Sequence, residues 1–413
     1  MEPTATDQST FRSYMTFFSG QQISLLGSSI AQFVVIWWIT LETKSAWYLA
    51  LASFVGFTPM ILLTPFAGVL VDRWSRKLVI ATVDFAQALS TVLLIFLFWL
   101  NIISIWPILL ILVFRSCCQA FHAPAVGAIV PLMVPRDKLS RINGLEFLLN
   151  GMMTLIGPVI AALLLSFWNI DKILWVDPVT FVVAVIPLLL IRIPSVRMGR
   201  EKSSYKSDLV EGIHFIGSSR GLVPLIFLAT ALNFLFMPLA TLLPYFVSVD
   251  HYGVATDFAL VTALTQAGMF AGGVLMIIWK KIDRKMLVMT GFLFLCFLTY
   301  GLTAFTPLGL FLFMGACLFI MNFSTVPVNV LIRTILQTIV PPEMQGRVNS
   351  VVMSLASAAS PLGMIISGVI VTYTGTVNLF LGCAAAGIIV LLISWFFTDM
   401  KNIEKPKENT PTP

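Results

Sequence analysis

Twelve apolar runs, each long enough to cross a bilayer and nearly free of charge, leave this chain few folds to choose from. They fall roughly at residues 13–40, 47–71, 78–100, 107–131, 143–167, 173–191, 222–248, 258–279, 286–305, 308–332, 348–371 and 378–397. The hydrocarbon core of a membrane needs about 20 helical residues to span it. Inside that core every backbone N–H and C=O must find its partner within the protein, which admits helices or a closed barrel. Alternating ten-residue barrel strands are absent from the pattern. The expected class is therefore an all-α membrane protein with twelve transmembrane helices. Composition agrees: 58% of residues are hydrophobic and 11% charged, against about 25% charged in ordinary soluble domains. The run after Arg12 is too long for a signal-peptide core and no small-residue cleavage site closes it, so it reads as a retained first span.

The net charge of +6 is distributed in a way that bears on orientation rather than on nucleic acid. With the N-terminus inside, the inner segments hold Arg12; Arg73, Arg76 and Lys77; Arg136, Lys138 and Arg141; the stretch Arg192 to Arg220; Lys280, Lys281, Arg284 and Lys285; Arg333 and Arg347; and the tail lysines. The outer loops hold Lys44 and Lys172. This asymmetry places both termini in the cytoplasm and the chain in a plasma or inner membrane. The five cysteines, Cys117, Cys118, Cys296, Cys317 and Cys383, all sit in apolar runs. They offer neither a disulfide framework nor metal spacing, and read as small apolar helix residues. The three histidines are scattered, so no metal site is expected, and His122 reads as a packed helix residue rather than a proton relay.

Internal repetition organises the spans. Val134-Pro135 followed by Arg141-Ile142-Asn143 recurs as Val340-Pro341 followed by Arg347-Val348-Asn349, an offset of 206. Arg76-Lys77 recurs as Arg284-Lys285 at 208, and Gly157-Pro158 as Ser360-Pro361 at 203. Two six-helix repeats follow, with a substrate site expected near the midplane between them. The expected organisation is an N-terminal bundle at 1–191, a cytoplasmic linker at 192–221, a C-terminal bundle at 222–397 and a cytoplasmic tail at 398–413. Within the linker, Leu209, Ile213 and Ile216 recur at helical spacing, which fits a short helix on the inner membrane surface as well as a plain solvated connection.

The loop after the second run reads Gly68-Val-Leu-Val-Asp72-Arg73-Trp-Ser-Arg76-Lys77. It resembles the G-x-x-x-D-R-x-x-R-K motif of the major facilitator superfamily. The resemblance implies a gating role for Gly68, Asp72, Arg73, Arg76 and Lys77: a breakable latch on the inner side, with the glycine allowing close helix approach. Arg115-Ser-Cys-Cys-Gln119-Ala120 is similar to the family's R-x-x-Q-G, with the glutamine one place late and alanine for glycine. Gly157-Pro158-Val-Ile-Ala161-Ala162 looks like the antiporter motif G-P-x-x-G-G, with alanines at its close. The whole chain is similar to the macrolide efflux proteins of this superfamily, most densely in its first half. That resemblance implies a proton-driven exporter of bulky amphiphilic drugs working by alternating access. A related branch exports siderophores.

Three acids lie inside spans: Asp84, Glu146 and Asp177. A carboxyl in a low-dielectric site is suited to proton exchange near neutral pH, and each of the three, together with the intramembrane Arg115, is a candidate for proton coupling. Each acid could equally be a helix-end charge or the partner of an inner-loop arginine. The first span carries Gln21, Ser24, Ser28 and Gln32 along one stripe, the tenth Asn322 and Asn329, and the seventh and eighth Asn233 and Gln266. Such polar groups should avoid lipid, and serve either a substrate cavity or interhelical hydrogen bonds. A membrane enzyme would need a nucleophile–base set or a metal cluster, and neither pattern is present; a receptor would need an output domain. The expectation is a proton-coupled exporter of macrolide-like or other amphiphilic drugs, with no catalytic residues, metal or cofactor, energised by the proton gradient. The alternative is an exporter of a siderophore or lipid-like metabolite. The expected partners are a small amphiphilic substrate, protons and the lipid bilayer, without nucleic acid, and the chain is expected to act as a monomer.

Overall fold

The computed structural model describes residues 5–71, 74–135, 138–191, 205–219, 221–279, 282–341, 344–398 and 400. Asp72 and Arg73 of the gating loop lie outside these, as do Arg136, Arg192, Lys280, Lys281 and most of the tail. Among the described residues there is no strand, and the first six spans are built by eight helices. These are α1 (Ala5–Thr43), α2 (Ala46–Val71), α3 (Arg76–Trp99), α4 (Ile105–Gly127) with its short continuation α5 (Val130–Met133), α6 (Leu139–Leu165), α7 (Ile170–Leu174) and α8 (Val176–Leu190). A linker helix, α9 (Tyr205–Ser218), follows. Then come α10 (Leu222–Tyr245), which runs on through a π-helical turn at Phe246–Asp250, α11 (Ala255–Ile278), α12 (Lys285–Ala304), α13 (Phe311–Ile339) and α14 (Gln345–Phe397).

Eleven of these stretches are long and apolar enough to cross a membrane, the last of them 53 residues long. At about 1.5 Å per residue such a helix would reach about 80 Å, far beyond a hydrocarbon core of about 30 Å. Gly375 resolves the mismatch. Its φ of 75° and ψ of 165° are non-helical, a conformation open in practice to glycine alone. The chain turns there, and α14 supplies the eleventh and twelfth spans expected from the runs at 348–371 and 378–397.

The chain forms two compact units, Met1–Gly199 with Thr241–Ala263, and Arg200–Ala240 with Leu264–Pro413. In the first unit α1 is the central helix, packed against α6 and α8, while α2 pairs with α4 and α3 lies between α4 and α8. Close approach depends on small residues. A Cβ on Gly27 would overlap Thr180 of α8, and one on Gly157 would overlap Ser29 of α1. Where α11 begins, Phe258 stacks on Phe33 and Trp37 of α1, with ring centroids 5.1 and 5.8 Å away.

In the second unit α12 packs on α13 and α14. The linker segment does form a helix. α9 docks on α14, placing Ile216 in an apolar cluster with Leu222, Ile226, Leu336, Val340 and Val348. Glu211 on α9 pairs with Arg347 at the start of α14.

Candidate functional site

Three helices of the first unit each present two polar side chains seven residues apart: Gln21 and Ser28 on α1, Asp84 and Thr91 on α3, Arg115 and His122 on α4. Seven residues are nearly two helical turns, so each pair lies on one face and is separated by about 10 Å along the axis. α4 runs antiparallel to the other two, so its order is reversed. The six side chains therefore meet as two layers.

One layer is built on Asp177, in the first turn of α8 and 3% exposed. Arg115 Nη1 lies 3.1 Å from Asp177 Oδ2. Thr91 Oγ1 donates to the same oxygen at 2.5 Å, and Ser28 Oγ donates to Oδ1 at 2.7 Å. Arg115 also donates to Thr91 Oγ1 at 2.5 Å and to the Gln87 carbonyl at 3.4 Å. A buried carboxylate needs a countercharge and donors for its remaining lone pairs, and Asp177 has both, from α1, α3 and α4 together. The sequence named Asp177 and Arg115 separately; the fold makes them one ion pair.

The other layer is built on Asp84. Gln21 Nε2 donates to Asp84 Oδ2 at 3.2 Å. On the far side His122 Nε2 stands 3.0 Å from Asp84 Oδ1, with side chains 18% and 10% exposed. At that distance the two attract if the imidazole is charged, yet Nε2 makes no hydrogen bond. His122, read from the sequence as a packed helix residue, is thus the titratable neighbour of an intramembrane acid.

Glu146 is half-buried on α6, within electrostatic reach of Tyr14 on α1. One turn along α6, Asn150 Oδ1 accepts from Gln22 Nε2 at 3.1 Å, a bond that sequence patterning did not single out. Of the polar stripe on α1, Gln21 and Ser28 reach the two acids, while Ser24 is half-buried and Gln32 is exposed. In the second unit the amides of Asn233, Asn322 and Asn329 donate to carbonyls four residues back on their own helices. Gln266 is half-buried on α11.

The gating loop is described in part. Lys77 Nζ donates to the Leu189 and Ile191 carbonyls at 2.6 and 2.8 Å, tying the start of α3 to the end of α8. Those carbonyls lack helical partners, and a cation there also suits the helix dipole. Arg76 opens α3. Among the described residues nothing lies within 4 Å of the Cβ that Gly68 lacks. Gly157 approaches Ser29 closely, and Pro158 follows it inside α6. Among the described residues no group of three or more His, Cys, Asp or Glu side chains could hold a metal.

A many-spanned helical protein with charged pairs set inside its spans has the architecture of a membrane transporter. The profile of the Major Facilitator Superfamily matches residues 17–362 and 327–413, and the chain belongs to that superfamily. It is 30% identical over 396 residues to macrolide efflux protein A of Streptococcus pyogenes, spanning 95% of this chain and 97% of that one. A more distant relative, at 22% identity over 95% of this chain and 98% of its own length, is the staphyloferrin A transporter of Staphylococcus aureus. Among solved structures, a bacterial homologue of the iron transporter ferroportin superposes with a TM-score of 0.74 at 15% identity, covering 93% of this chain and 98% of that one.

Proposed function

We propose that this protein exports macrolide-like or other amphiphilic drugs by proton antiport, through alternating access of its two six-span halves. The carrying observation for the substrate is the similarity to a macrolide efflux protein along nearly the full length of both chains. Coupling to protons is supported by the acids placed in the first-half spans, Asp84 beside a histidine and Asp177 beside an arginine. A carboxyl group inside a membrane span is costly and is kept where it moves or balances charge. The reading requires no cofactor, only the gradient, and one copy of the chain. In this reading the protein lies in the plasma membrane, and the lysine and arginine asymmetry supports both termini in the cytoplasm.

The test is accumulation of labelled erythromycin in a pump-deficient bacterium that expresses the chain, with and without an uncoupler. Lowered accumulation, restored by the uncoupler, is the expected result. Unchanged accumulation in cells shown to contain the protein would remove macrolides as substrates. The second reading is export of a siderophore or lipid-like metabolite, and the similarity to a staphyloferrin A transporter makes staphyloferrin A the next compound to assay.

A further inference from the structure

We infer that His122 and Asp84 form a single proton-exchange site, in which His122 carries the proton and Asp84 fixes its charge. The inference rests on the proton-antiport reading and assigns that coupling to one of the two polar layers.

The two layers differ in what their acids are paired with. Asp177 faces a guanidinium, which does not give up its proton in a protein. It also faces two hydroxyls, and the three donors come from three helices. Nothing in that layer changes charge without leaving a buried ion unpaired, which suits a tie between helices rather than a carrier. Asp84 faces an amide and an imidazole. Histidine is the side chain whose charge changes in the physiological range. Its Nε2 stands 3.0 Å from Oδ1, an ion-pair distance. With one proton added, a carboxylate and an imidazolium sum to zero and attract. With that proton released, the carboxylate and the neutral ring sum to one negative charge. A net charge is expensive inside a membrane, so the loaded and empty states favour different exposures of the site to water. Per cycle the ring takes one proton from the outer side and releases the same proton to the inner side, with no bond to other atoms made or broken.

Among the described residues, Cys118 lies within electrostatic reach of Asp84. On α4, Cys118 is one turn from His122, with Cys117 beside it, and Arg115 is committed to Asp177. α2, packed on α4, carries one titratable group, Tyr48 near its start, against Trp106. On α3, Lys77 is two turns before Asp84 with its amine on the end of α8, and Arg76 precedes it. From α8 comes Asp177, and from α7 Asp171 and Lys172. α1 offers the uncharged Gln21 at the contact, with Tyr14 and Arg12 in its earlier turns.

The experiment uses the full chain purified into liposomes, comparing wild type with His122→Gln, Asp84→Asn, the double variant and His251→Gln as a histidine control. Uphill uptake of erythromycin driven by an imposed pH gradient is measured beside downhill exchange of the drug without one. The expected result is an uphill loss of tenfold or more in His122→Gln and in Asp84→Asn, and no further loss in the double variant. Downhill exchange should be retained, and His251→Gln should behave as wild type. Uphill transport by His122→Gln at the wild-type level overturns the assignment. A second measurement does not depend on transport: NMR titration of histidine-labelled protein in detergent, with His122→Gln assigning the resonance. Asp84→Asn should displace the pH at which His122 titrates, and an unmoved midpoint overturns the pair. If the wild type moves drug with no proton dependence while the titration shows the pair, it is the antiport reading that falls and not the dyad.

Discussion

Replacing Arg115 by leucine should be the most damaging single change in the first unit, and the magnitude follows from what it leaves behind. Asp177 is 5% exposed in its side chain and loses its countercharge. The hydroxyls of Ser28 and Thr91 remain, but they already donate in the native state and offer nothing new in compensation. Removing one partner of a buried ion pair costs about 3–5 kcal/mol, because the other charge stays buried alone. An interhelical hydrogen bond in a membrane protein is worth about 0.6 kcal/mol on average and about 1.7 at most, and Thr91's bonds to two ions belong at the upper end. Thr91→Val should therefore cost about half of the arginine change or less. The double variant Arg115→Leu with Asp177→Leu leaves no uncompensated charge and should be more stable than Arg115→Leu alone, a coupling of about 1–3 kcal/mol. The assay is reversible unfolding of the purified protein in mixed detergent micelles, with each variant checked for monodispersity. Unfolding of Arg115→Leu within about 1 kcal/mol of the wild type, or a double variant that shows the plain sum of its single changes, would mean that Arg115 and Asp177 are not a buried ion pair.

Gly27→Leu should lower stability by about 1–3 kcal/mol through the clash with Thr180, whereas Gly68→Ala, with open space around it, should change the unfolding midpoint little. Gly375→Ala forces a side chain onto a φ of 75° and should cost about 1–3 kcal/mol, read as a drop in thermal midpoint. Lys77→Met removes both donors from the end of α8 and should speed amide hydrogen exchange at residues 188–191 relative to mid-helix amides. Unchanged exchange there would mean the carbonyls find other partners.

The spans were legible in the sequence because a bilayer imposes one rule on every segment that crosses it. Even the turn at Gly375 showed as the polar break between two runs, although the backbone through it is helical on either side. The site was legible by residue type and not by partnership. Asp84, Asp177 and Arg115 each stand out as charges in apolar helices, but nothing local joins residue 115 to residue 177. The seven-residue spacing of Gln21 and Ser28, Asp84 and Thr91, and Arg115 and His122 was the available signal, and it appears only when the three helices are compared. His122 escaped because a lone histidine in an apolar helix has no pattern of its own. Close helix approach through glycine is found at Gly27 and Gly157, where small residues of α1, α6 and α8 meet.

In the second unit the amides of Asn233, Asn322 and Asn329 donate to carbonyls of their own helices. The charged layers of the first unit are satisfied only across helices: Asp177 draws donors from α1, α3 and α4, and Asp84 from α1 with an ion-pair contact from α4. The Asp177 layer ties α1, α3 and α4 to α8 through one ion pair and two hydroxyl donors. A change of charge at His122, about two turns away along the same three helices, then acts on a group already fastened at its other level. Under the proposed coupling, one proton at the His122–Asp84 contact would act on α1, α3 and α4 together, because the Asp177 layer already joins them and packed interiors pass between discrete arrangements.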